Sequence, residues 1–169
     1  MFMKINNVKI FKACIISGLL ALPFTAMANS NASYTPPVLT YEMAEKAAKS
    51  AFQAALEESK SVTVSVVDRS GQLMTSIRHH NAGIHTLQAS YKKAYTANSM
   101  KQPTAVIAKN IRDGKAPEDL KYLDNNILLL DGGVPLIVDG VVVGGIGVGG
   151  AQGHEDVKYA KKGAGSISH

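Results

Sequence analysis

Three of the chain's five histidines, His79, His80 and His85, fall within the stretch SIRHHNAGIHTLQASYKKAY that runs from Ser76 to Tyr95. Neutral imidazole ligates transition metals and haem iron well, so the cluster raises metal chemistry first. The plain alternative is a solvated polar loop. No H-x-H or H-E-x-x-H spacing marks a zinc or copper site, even with His154 added. Ser90, Thr96 and Ser99 have no matching histidine and acid pattern for nucleophilic catalysis. Asp68 and Asp139 stand beside turn glycines, where aspartate is favoured for backbone reasons. Gly145 to Gly150 fits G-x-G-x-x-G, but only 19 residues follow it, too few for the βαβ unit of a dinucleotide site. Those glycines are read instead as thinning a strand so that another backbone can approach, or as lining a pocket wall.

The elements that must position the histidines follow from pattern. Thr40 caps a helix whose Ala44, Ala47, Ala48, Ala51 and Ala55 recur at helical spacing to about Ser59. Val62–Asp68 and Leu73–Arg78 read as strands joined by a glycine turn. The histidines lie between the second strand and a helix over Ile84–Met100. If that strand continued, His79 and His80 would point to opposite faces. Pro103 breaks the helix, and Thr104 is expected to cap a short one, with a pocket hydroxyl as its other reading. Ile127–Leu130 and Val134–Val138 are apolar runs, and Asp139-Gly140 is a hairpin turn into VVVGGIGV. A last helix is expected over Glu155–Lys162, ended by Gly163. The amides of Gly153, His154 and Glu155 at its start are a candidate anion site. Tight hairpins make the fold class α+β.

Residues 1–28 read as a signal peptide: Lys4, Lys9 and Lys12, an apolar run Ala13–Leu22, then Ala26-Met27-Ala28 as the cleavage pattern. The run is too short to span a bilayer, so no membrane insertion is expected after cleavage. Without that segment 15 basic residues face 13 acidic ones and the charge drops from +5 to +2, which removes the main argument for a nucleic-acid partner. The single cysteine, Cys14, leaves with it. Residues 29–38 read as an exposed arm and 39–169 as one domain.

Four stretches carry a family likeness: LTYEMAEKAAKSA, VSVVDRSGQLMTSIR, KKAYTANSMKQPT and LDGGVPLIVDGVVVGGIGVGGAQGHEDVKYAKKGA. Together they resemble the GlcG/HbpS-like family of haem-binding and haem-degrading proteins. The resemblance implies a profilin-like fold, a central antiparallel sheet flanked by helices, often in homo-oligomers. It also implies haem b as cofactor and, if the protein is an enzyme, oxidative haem degradation. Many relatives carry R-M-D-G-A where this chain has Arg78-His79-His80-Asn81-Ala82, and Gln88 stands where an acid is usual. Lost carboxylates and gained imidazoles favour nitrogen ligation. His85 or His79 would ligate iron, with His80 next. Leu87, Tyr91 and Ala94 would form an apolar wall. Arg78, Lys92, Lys93 and Lys101 would meet propionates, and Tyr91 or Tyr95 offers a phenolate alternative. The competing readings are a small organic-acid carrier or sensor accessory with an unidentified sensor or transport partner, and a structural oligomer with incidental histidines.

Overall fold

The computed structural model describes residues 35–167. The signal peptide, most of the arm and His169 lie outside the described residues. Four helices and four strands follow in the order α1 (Tyr41–Glu57), β1 (Thr63–Asp68), β2 (Leu73–Arg78), α2 (His85–Met100), α3 (Thr104–Arg112), β3 (Gly133–Val138), β4 (Val141–Gly149) and α4 (Gly153–Gly165). A 3-10 turn, Glu118–Tyr122, links α3 to the second hairpin. The strands form one antiparallel sheet in the order β2-β1-β4-β3, so the expected α+β class holds. Among the described residues no helix is long and apolar enough to cross a membrane.

Alternation along the strands gives the sheet two chemically different faces. On one face Val64, Val66, Val143, Ile146 and Val148 pack with the alanine stripe of α1 and with Tyr159 and Ala160 of α4. Removing this apolar surface from water is the main drive for folding. Thr40 caps α1 as expected, its Oγ1 accepting from the Met43 amide at 3.3 Å. The last helix is longer than expected at both ends. Gly163 does not stop it. A Cβ there would lie 2.6 Å from the Ala47 carbonyl oxygen, so glycine lets α1 and α4 touch.

The other face is built from small and hydroxylated residues. Thr63 and Ser65 of β1 bond to Thr86 and Ser90 of α2 at 2.6 and 2.8 Å. Gly145 and Gly147 bring β4 against the α2 backbone. A Cβ on Gly147 would sit 2.0 Å from the Ser90 carbonyl oxygen, and one on Gly145 2.2 Å from that of Ala94. The glycine run is therefore a close-packing device. Asp139 (φ 50°) and Gly140 (φ 75°) make the expected tight turn. Asp68 accepts from the Ser70 and Gln72 amides at 2.8 and 2.9 Å, which accounts for it structurally. The apolar run 127–130 is not a strand. It crosses the surface irregularly, because the sheet already ends at β3.

Tyr159 gives the core a pH signature. It is fully buried, and its hydroxyl donates to Glu58 Oε2 at 2.8 Å. Burial first, then this bond to an anion, push its phenol well above the ordinary tyrosine range. A raised folded-state value keeps this contribution whole below the unfolded tyrosine value of about 10 and removes it as pH climbs further. Urea unfolding across the alkaline range is expected to show falling stability, and Tyr159→Phe should flatten that slope. An unchanged slope in the variant would assign it to other groups.

Candidate functional site

The residues with chemical potential form two groups, a histidine rim at the end of β2 and a buried charged cluster beneath α2. At the rim, the chain turns through residues 79–83 before α2 begins. The turn is held by His79 N donating to Val62 O at 3.0 Å, by Ala82 N donating to His79 O at 2.9 Å, and by the Arg78 guanidinium on the Ala82 carbonyl. His79 is half-buried, its ring 6.4 Å from that of Phe52 and 4.2 Å from that of His80. Its Nδ1 accepts from the Asn81 amide at 3.2 Å. In a neutral ring this leaves the proton on Nε2, so neither nitrogen presents a lone pair for ligation. His80 is exposed, its ring tilted 32° to that of His79.

His85 is different. It opens α2, is exposed, and folds over Gly83, where a Cβ would lie 2.7 Å from its Cε1. No hydrogen bond engages its ring among the described residues. Its neighbours Ile84 and Leu87 are 81% and 44% exposed, an unusual apolar display beside a free imidazole. His85 rather than His79 therefore has the freer nitrogen. No group of three or more His, Cys, Asp or Glu side chains converges on a metal position among the described residues.

The other residues expected around the site are engaged within the fold. Lys92 lies at the surface but donates to Asn125 O at 2.7 Å. Tyr91 donates to Gly71 O at 3.2 Å, and Tyr95 to Asp124 Oδ2 at 3.4 Å. Burial and then Asp124 push the Tyr95 phenol up, away from phenolate. Leu87, Tyr91 and Ala94 do not form one wall, since Leu87 is exposed while Ala94 is buried against β4. Thr104 is not a cap. Pro103 holds that position, and Thr104 Oγ1 instead accepts from Gly133 N at 2.9 Å, fully buried.

Lys93 requires the largest correction. It was expected to reach a surface propionate but is only 5% exposed, turned beneath α2. Its Nζ lies 2.8 Å from Asp156 Oδ2 and donates to Val148 O, also at 2.8 Å. Asp156, 2% exposed, accepts from the Ala151 amide at 3.1 Å through its other oxygen. Burial pushes the Asp156 carboxyl up, against the opposing pull of Lys93. Gly132 (φ 115°) closes over the pair: a Cβ there would meet Lys93 Nζ at 3.1 Å and the Asp156 Cβ at 2.7 Å. Sequence reasoning missed this cluster. The signal was Lys93 standing among small residues at helical spacing, Ser90, Ala94 and Ala97, on the buried stripe of α2.

A cleft of about 410 Å³ opens onto the pair, walled by Arg112, Leu129, Leu130, Asp131 and Gly153. The anion site expected at Gly153, His154 and Glu155 is crowded by the chain's own acids. Glu155 accepts from the Gln152 amide at 3.0 Å and pairs with Lys60 at 2.8 Å, and Asp156 adds a second carboxylate to the same turn. His154 faces a separate groove with Val157 and three lysines.

Comparison with known proteins places this architecture. The family described as "Haem degrading protein HbpS-like" matches residues 39–165. An uncharacterized 15.0 kDa protein from the dhaT-dhaS intergenic region of Citrobacter freundii is 32% identical, over 75% of this chain and 89% of its own length. A double mutant of Streptomyces reticuli HbpS superposes with a TM-score of 0.74 at 36% identity, covering 84% of this chain and 95% of that one. The PduOC:heme complex superposes with a TM-score of 0.72 at 26% identity, covering 78% of this chain and 96% of that one.

Proposed function

Because the chain belongs to the HbpS-like family, we propose that it is an exported protein that binds haem b, either degrading it or storing its iron, and that it works as a homo-oligomer. The observation that carries the reading is His85: an imidazole without a hydrogen-bond partner among the described residues, flanked by exposed Ile84 and Leu87, in a fold that superposes on a haem complex. That donor set suits iron, which takes a neutral ring nitrogen beside apolar surface for the macrocycle. Arg78 and Lys92 supply the cationic rim for the propionates. The pattern of residues 1–28 supports export to a periplasm or the cell exterior. If the protein is an enzyme, the bound haem would supply the oxidative chemistry, and this chain's part would be to ligate the iron through His85 and to pair the propionates through Arg78 and Lys92.

Hemin titrated into the purified protein should saturate at fixed stoichiometry with a shifted Soret band. His85→Ala should weaken binding by about tenfold or more and alter the band. His79→Ala should change both less. Wild-type spectra and affinity in His85→Ala would overturn the ligand assignment, and no saturable response in the parent protein would overturn the haem reading.

A further inference from the structure

The cleft above Lys93 and Asp156 is independent of the histidine rim, and its chemistry is specific. An ammonium has three N–H donors. Lys93 directs two of them at Val148 O and Asp156 Oδ2, and no described residue accepts the third. Lys93 itself lines the cleft. A buried ion pair costs desolvation and adds little to stability by itself. Chain geometry is nonetheless arranged around this one: Gly132 covers it, Thr104 pins the Gly133 amide beside it, and Gly153 admits the Asp131 side chain, a Cβ there lying 3.1 Å from Asp131 Cβ.

Two opposite charges complete the wall. Arg112, at the end of α3, has neither an ion-pair nor a hydrogen-bond partner among the described residues, and the same holds for the Asp131 carboxylate. They share the cleft, yet no salt bridge joins them. Leu129, Leu130 and Ala151 give the rest an apolar surface. A ligand that satisfies everything present carries a carboxylate for Arg112 and the spare Lys93 donor, a cationic donor for Asp131, and a small apolar group between them. Pockets of this size and mixed lining are typical of small-molecule sites. We propose that this cleft binds a small α-amino acid as its zwitterion, at a site separate from any haem.

The test uses the purified mature chain and three probes in isothermal titration calorimetry: L-valine, isovalerate, which lacks the amine, and isobutylamine, which lacks the carboxylate. Valine should bind saturably, and each half-ligand at least about tenfold more weakly. Arg112→Ala alters an exposed helix end and should abolish valine binding. Asp131→Asn should weaken valine but leave isovalerate unchanged. Hemin titration of both variants should match the parent, which keeps this result separate from the haem reading. The proposal is overturned if valine fails to bind, if isovalerate binds as well as valine, or if valine affinity survives Arg112→Ala.

Discussion

Gly147→Ala is expected to cost about 3 kcal/mol or more of folding stability, measured as a lowered urea midpoint. The added Cβ would fall 2.0 Å from the Ser90 carbonyl oxygen and 2.6 Å from the Ala94 amide nitrogen. Both obstacles are backbone, so no rotamer change relieves them. The helix must lift from the sheet, and lifting it stretches the Ser65–Ser90 bond of 2.8 Å and the Thr63–Thr86 bond of 2.6 Å. Gly165→Ala is the control. Nothing lies within 4 Å of its Cβ position, and alanine suits a helix end at least as well. Equal midpoints for the two variants would mean that α2 is not held as tightly as described.

Lys93→Met is expected to destabilise by about 3–5 kcal/mol, because it leaves the Asp156 carboxylate buried without its counter-charge. The loss should be largest at neutral pH and shrink on acidification, since a protonated Asp156 no longer needs the ammonium. Burial already raises that carboxyl, so recovery should begin above the ordinary aspartate range. The double variant Lys93→Met/Asp156→Leu should recover much of the loss, as apolar replacement of a buried pair is often neutral or better. Urea unfolding of the three proteins at neutral and mildly acidic pH decides the matter. A double variant no more stable than Lys93→Met would locate the damage in packing under Gly132 rather than in charge.

Much of the fold was legible in the sequence because it rests on local rules. The alanine period marked α1, the β-branched runs marked β1 and β4, and Asp139-Gly140 marked the second hairpin. The misplacements have physical causes. Gly163 looked like a stop signal, but tertiary contact with Ala47 outweighed its poor helix propensity. Thr104 had the composition of a cap, yet Gly133, 29 residues away, claimed its hydroxyl. Ile127–Leu130 carried strand composition without a sheet partner. At the site, the histidines were conspicuous by residue type, but which of them keeps a free nitrogen depends on how the turn folds the Asn81 amide onto His79 Nδ1, and residue type does not reveal that. The Lys93–Asp156 pair spans 63 positions, and nothing local announces a partner at that distance.

The way α2 meets the sheet has a mechanical consequence. A greasy interface can slide and repack by degrees, whereas glycine against backbone with matched hydroxyls has a single seating. Lys93 lies eight positions after His85 on this helix, about 12 Å along its axis. The segment between them is seated in one register, so any lift of α2 forfeits its glycine contacts and its hydroxyl bonds together.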